Sequence, residues 1–448
     1  MTHLKAQSPR TIAPLALLAA LSGACASDLD PADYAFDAGP IVGPSGGPPT
    51  LEERLLHCEE NRPAACPGSD DSAMTRHAGL LDGAICQWGL VDQDLWAAKG
   101  AALDRLAADL PVRPLADLLP DLDREGIPTS AANPELARLE RLERAFGWDA
   151  FDHGDKTWMP QGVSGTADAY PDERLAGREL VAVSWYHNAK ASGLGDRHEV
   201  ARVSFADVTD LAAGDVRYTH VVLADVVDAD GRPDLRPVRI HAGGIAWVGD
   251  LLYVADTTRG LRVFDTTRVI TLDGQADAFG YDPETGRTSA YGHRYALPQV
   301  GAYFLSDASC WHRFSFVGVD NTSTPPSLVT GEFRDHDIAG KLMRWDLDGE
   351  RLAPTDPSAA LTHPSEVYFA QESDMQGAVS VDGAWYISAS GQDGAWGRLY
   401  RTTPGQPSTA SGWVIGPEDL MYSRRARALW SASEFAGRRY VFAVGLGE

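Results

Sequence analysis

The stretch from Gly243 to Asp265, GGIAWVGDLLYVADTTRGLRVFD, constrains this chain more than any other. Apolar and polar residues alternate along it with the two-residue period of a half-buried strand, and Gly249-Asp250 stands where a two-residue hairpin turn belongs. Arg259-Gly260 offers a second reversal. Three antiparallel strands therefore follow one another. The same grammar returns from Gln376 to Arg401, with Asp382-Gly383 as its turn, and from Pro417 to Val444. Looser copies run from Phe314 to Asp348 and from Gln161 through ELVAVSWYH and VARVSF, which makes five in all. Uneven spacing implies insertions near 186–198, 224–237 and 273–310.

A unit of four antiparallel strands leaves both faces apolar, and a head-to-tail ring of such units covers all of them at once. The expected fold class is all-β, a single β-propeller over 158–448 with five blades, or six if a divergent blade is hidden, preceded by a helical prefix. The Gly244 copy resembles the repeats of NHL-type and SMP-30-type propellers. Those read glycine, an aliphatic residue and alanine, then Leu-Tyr-Val-Ala-Asp, and close on an aromatic residue and an acid or amide. The last copy stops at its third strand, so a strand from elsewhere, just before Gln161, is expected to close the ring.

The first 24 residues carry Lys5 and Arg10 ahead of an uncharged run, Thr11–Ala24, too short to span a bilayer but suited to a signal peptide. It ends LSGAC, which resembles the lipobox of bacterial lipoproteins and marks Cys25 for lipid attachment; ordinary cleavage near Ala24 or Ala26 is the alternative. The chain has five cysteines, and exported proteins seldom leave one free. Lipidating Cys25 leaves Cys58, Cys66, Cys86 and Cys310 as disulfide candidates, with a local Cys58–Cys66 loop and a Cys86–Cys310 link as the expected pairing. No pair has zinc-site spacing. Residues 25–50, rich in Pro, Gly and Asp, read as a disordered tether. The expected location is outside the cytoplasm, on a bacterial membrane surface or in the periplasm, with secretion as the alternative. The membrane is met only through the lipid, and the protein is expected to be a monomer. A formal charge of −24 argues against nucleic acid as a partner.

Residues 51–150 read as the helical prefix. One helix is expected from an Asp92 cap through Leu95, Ala98, Ala102, Leu103, Leu106 and Leu110, with Pro111 ending it. A second is expected from Asn133 and Pro134 through Leu136, Leu139, Leu142 and Phe146 to Gly147.

Several motifs of known chemistry are absent. GVSGT at Gly162 lacks the second glycine of a nucleophile elbow, and HEVAR at His198 lacks a second histidine four residues on. GPSGGPPT has no phosphate-loop lysine, and DADGRPD at Asp228 reads as a plain turn rather than half an EF-hand. In a ring, the lead-ins to the inner strands and the ends of the second strands meet at one mouth. The candidates there are His187, His241, Asp256, His312, Glu332, His336, Gln376, Glu418 and Glu434. They could hold a divalent cation such as calcium or act as acid and base; the plainer reading is that they bond turn amides and balance Arg344, Arg398 and Arg438. The SMP-30 resemblance implies calcium held by Glu, Asn and Asp, but none of the four Asn (61, 133, 188, 321) stands at an inner-strand lead-in. Trp185, Trp247, Trp311, Trp385 and Trp396 suit either glycan stacking or core packing. The functional expectation is an envelope module that binds a small molecule, glycan or protein. The alternative is a metal-assisted hydrolase or lactonase, or a glycan-acting enzyme.

Overall fold

The structure, a computed structural model, describes residues 79–193, 200–229, 231–307 and 309–447. The signal and tether segments and the candidates Cys25, Cys58 and Cys66 lie outside the described residues. Twenty of the described strands form five four-stranded blades. Strand β1 (Leu142–Gly147) comes first. Blade I holds β2 (Trp158–Gly165), β3 (Leu180–His187), β4 (Ala201–Asp207) and β5 (Arg217–Ala229). Blade II holds β6 (Ile245–Val248), β7 (Leu251–Asp256), β8 (Gly260–Asp265) and β9 (Tyr295–Leu305). Blade III holds β10 (Phe316–Asp320), β11 (Ser327–Gly331), β12 (Lys341–Asp348) and β13 (Glu366–Phe369). Blade IV holds β14 (Met375–Val381), β15 (Ala384–Ala389), β16 (Trp396–Thr402) and β17 (Thr409–Ile415). Blade V holds β18 (Pro417–Ser423), β19 (Ala428–Ser433) and β20 (Tyr440–Gly445), and its fourth strand is β1, paired with β20 from Tyr440↔Gly147 to Val444↔Leu142.

The molecule is thus a five-bladed β-propeller. Turn chemistry sets the hairpins. Asp382 and Gly383 both take positive φ, the conformation that a two-residue turn between twisted strands requires. The inner strands close on one another because glycines remove the side chains between them. A Cβ on Gly162 would come 2.5 Å from Ile245 N, one on Gly244 2.2 Å from Val317 N, and one on Gly377 2.4 Å from the Asp419 Cα. Between blades lie dry clusters of aliphatic and aromatic residues, such as Val163, Val183, Trp185, Met421 and Trp430 between blades I and V.

Blades I and II share more than packing. Their outer strands pair in parallel, Val222–Asp225 against Ala296–Gln299, which fuses the two into one continuous sheet.

The prefix corrects the sequence reading. The helix α1 is real but shorter, Trp96–Leu106, with Ala102, Leu103 and Leu106 buried; Asp92 accepts from the Trp96 indole at 2.9 Å instead of capping it. No helix spans 133–147. A single 3-10 turn covers Pro134–Leu136, capped by Asn133, and Leu142–Gly147 is β1. Pairing with the open edge of β20 outweighs the helical spacing of the leucines. Elsewhere the prefix is a belt of short edge strands. Leu81–Asp82 adds to β13, Leu90–Asp92 to β9, Arg124–Glu125 to β5 and Ile127–Pro128 to β1. Leu136 and Phe146 are fully buried in the clusters beside blade V. No helix among the described residues is long and apolar enough to cross a membrane.

Candidate functional site

The mouth is formed by the lead-ins to β2, β6, β10, β14 and β18 and by the loops that follow β3, β7, β11, β15 and β19. Its floor is closed. The one-turn helix α3 (Thr166–Ala169) leaves β2 and packs beneath the inner strands, where the Asn321 amide at the end of β10 donates to Asp168 O at 2.9 Å. Above it the Asp419 side chain, fully buried, reaches Val163 N and Ile245 N at 3.4 Å each. The end of the axis away from the mouth is therefore covered by α3.

Three of the expected mouth residues are used up inside the blades. Glu332 and His312 are buried with Lys341, whose Nζ lies 2.8 Å from Glu332 Oε2, while His312 Nδ1 lies 3.3 Å from Oε1. The amides of Arg313 and Lys341 donate to the same carboxylate. Burial alone would raise the Glu332 carboxyl, but Lys341, with His312 and Arg334, holds it well below the usual carboxylate range. Burial pushes His312 down, leaving a neutral ring beside the Thr330 hydroxyl, which also accepts from the Trp345 indole at 2.9 Å. This is a structural clasp of blade III. Asp256 is likewise taken by Arg262, 2.8 Å away, which in turn donates to Gln299.

Others stay at the mouth without a shared centre. His187 stands edge-on to Trp158, with ring centres 5.2 Å apart, and His241 leans on Tyr186 at 4.3 Å. Burial, aided by Arg313, pushes His241 down to about 4, so it is neutral at pH 7. Gln376 donates to Ser390, and Glu418 is buried at the start of β18.

Two features have chemical potential. Glu434, half-buried after β19, is pushed up to about 7 by burial, a shift that Arg439 and the Gln161 amide at 3.4 Å only partly offset. Such a carboxyl exchanges protons near neutrality. The second is a trio, Asp335 and His336 after β11 and Asp374 before β14, with one ligand atom from each lying within 4.8 Å of the others. His336 Nε2 is 3.5 Å from Asp335 Oδ1, its Nδ1 is 3.9 Å from Asp374 Oδ2, and its backbone N–H donates to Asp374 Oδ1 at 3.1 Å. Asp374 is buried and steadied by the Ser373 hydroxyl, while the other two face solvent. Among the described residues this is the group of three or more His, Cys, Asp or Glu suited to a metal ion.

Sequence reasoning placed His336 and Glu434 at the mouth; Asp335 is next in the chain to His336, and Asp374 is two residues before the candidate Gln376. It missed Asp168 and the buried Arg439, whose Nε donates to Glu434 O at 2.7 Å. Asp419, near the start of β18, carried a further signal, an acid where three other blades carry glycine. Of the five tryptophans, Trp185, Trp247 and Trp385 are core, and Trp396 lies half-buried under Arg138.

No protein-family model matches the chain, and no curated protein matches it. Among solved structures, the PQQ-bound aldose sugar dehydrogenase from Streptomyces coelicolor is 14% identical over 68% of this chain and 81% of that one, with TM-score 0.30. The gluconolactonase XC5397 from Xanthomonas campestris is 14% identical over 75% and 88%, with TM-score 0.27. RS223 β-xylosidase is 9% identical over 65% and 93%, with TM-score 0.31. With identities and scores this low, their activities remain properties of those proteins.

Proposed function

We propose that the mouth of the ring is the active site of a metal-assisted hydrolase acting on a small-molecule or glycan substrate. The observation that carries this reading is the Asp335–His336–Asp374 trio at the rim. One imidazole and two carboxylates, two of the three exposed, would leave coordination positions free for water and substrate, and a cation there would supply Lewis acidity. The imidazole favours a transition metal over calcium, which takes oxygen ligands. Glu434, on the loop after β19 of the same face, would deliver a proton to a leaving group.

Metal analysis and titration with zinc and manganese should show about one equivalent per chain, weakened at least ~10-fold in His336→Ala and Asp374→Asn. Glu332→Ala should keep the metal while melting lower, because it strands the buried Lys341 charge. With lactone and aryl-glycoside substrates, wild-type turnover should fall as pH rises through about 7, where Glu434 loses its proton. Glu434→Gln should be slow at every pH and lack that limb. A metal-free wild type, or titrations unchanged in His336→Ala, would end this reading.

We also infer export with lipid attachment at Cys25, and disulfide pairing of Cys58, Cys66, Cys86 and Cys310. Supporting the pairing, Cys310 N donates to Gln87 O at 2.6 Å, one residue from Cys86, so the two backbones run side by side. The intact mass of the mature protein should carry the lipid, and non-reducing peptide maps should contain a Cys86–Cys310 species. An unlipidated mass or four reactive thiols would contradict it.

A further inference from the structure

Gly162, Gly244 and Gly377 hold equivalent places on the inner strands of blades I, II and IV, each backed against the next strand. In blade V that place belongs to Asp419, so a carboxylate stands where three other blades have no side chain. It is fully buried, and the two amides it reaches on neighbouring blades are both at 3.4 Å, long for hydrogen bonds to a charged group. Asp168 approaches from α3 below. Its Oδ2 accepts from the Ser164 hydroxyl at 2.6 Å, and Ser164 Oγ in turn accepts from Trp247 N at 2.9 Å. Asp168 Oδ1 is buried with no partner among the described residues, in a side chain only 4% exposed.

Two buried carboxylates thus lie near the centre of the ring, Asp168 within the field felt by Asp419, with Glu173 and Arg424 the other charges that act on Asp168. An uncompensated buried carboxylate is too costly to persist, so it must be neutralised. A proton on Asp168 Oδ1 would leave a buried O–H with no acceptor beside it. Burial pushes the Asp419 carboxyl well up and Asp168 adds to this, while the donors around it, all N–H groups, oppose the rise only in part, so an ionised Asp419 needs a further positive charge. We propose that Asp168 and Asp419 hold a hard divalent cation of the calcium or magnesium class on the propeller axis, with Ser164 as a positioning residue that fixes the Asp168 carboxylate. Such a cation would neutralise both groups with the all-oxygen donors it prefers. It would also tie the inner strands of blades I, II and V together. This site is separate from the rim trio and independent of the hydrolase reading.

The test unfolds and refolds the full chain in calcium, in magnesium or in chelator, then measures melting temperature and metal content. Wild type and His336→Ala should both melt higher, by about 5 °C or more, after refolding with one of the two cations, and should retain it through dialysis. Asp168→Asn should retain none and melt identically in cation and chelator. Ser164→Ala, which keeps both carboxylates, should bind at least ~10-fold more weakly, and provides the readout if Asp168→Asn does not fold. Equal melting of wild type in both cations and in chelator, with no retained metal, would overturn the proposal. So would metal retention unchanged in Asp168→Asn, or in Ser164→Ala where Asp168→Asn does not fold. A stability that follows pH and ignores cations would assign the centre to a proton instead.

Discussion

Replacing Asp152 with Ala should cost about 3–5 kcal/mol of stability, the penalty for stranding buried charges whose partner is removed. Asp152 lies on α2 (Ala150–Gly154), the link between β1 and blade I, and is fully buried. Its carboxylate meets Arg202 at 3.0 Å, Arg124 at 3.1 Å, the Tyr218 hydroxyl at 2.6 Å and His220 Nε2 at 2.9 Å. His220 Nδ1 continues to Ser204 Oγ at 2.8 Å, and Ser204 accepts from the Trp185 indole at 2.7 Å. Arg202 is sandwiched near Trp158 and Trp185, and burial pushes it down to about 10, still charged at pH 7.

Burial would raise the Asp152 carboxyl, but His220, Arg202 and Tyr218 hold it well below the usual range. Burial, with Arg202, pushes His220 down to about 3. The cluster at pH 7 is therefore an Asp152 anion between two guanidiniums, with a neutral imidazole donating to it. Both shifts have the same sign of pH dependence. Between pH 6.5 and 3 the unfolded chain protonates this histidine and the folded chain does not, so stability falls as pH falls. The Asp152 contribution is present above the unfolded carboxylate value near 3.9 and is lost on further acidification. Urea midpoints should therefore drop from pH 7 to 4.5 in wild type, and His220→Gln should flatten that slope. An Asp152→Ala midpoint within error of wild type would show that the cluster does not hold the blades.

A chain beginning at Trp158 should fail to form the closed ring, although every residue of the repeats is present. It lacks β1, so β20 would expose a bare edge, and Phe146 and Trp148, both fully buried against blades I and V, would leave a gap. Losing one such aromatic costs about 3–5 kcal/mol, and here two go together with a five-residue ladder. The expected result is no cooperative melt, with folding rescued by adding residues 79–157 as a separate polypeptide. A shortened chain that melts like the full one would mean that blade V closes without β1.

The repeats were legible because hairpin chemistry is local. Gly249-Asp250 and Asp382-Gly383 specify their turns whatever surrounds them, and alternation exposes the strands between. That the last unit lacked a strand followed from counting; the closing strand was expected just before Gln161 and is Leu142–Gly147, further upstream in the prefix. Which segment would form it was not readable, since Leu136, Leu139, Leu142 and Phe146 have helical spacing and Leu142, Arg144 and Phe146 also alternate. An unpaired edge on β20 decided between the two periods.

Residue order alone determined the kind of ring, its open seam and the segments facing the mouth, because these follow from turns and from apolar faces that must be covered. Tertiary structure decided which of those ionisable groups are available. Arg262 and Lys341, on the third strands of the same blades and only six and nine residues further along the chain, claim Asp256 and Glu332, while Asp335, His336, Asp374 and Glu434 remain at the rim. The physical reason is that a buried charge takes whatever opposite charge packing brings within reach, and residue order alone does not say which side chains packing buries.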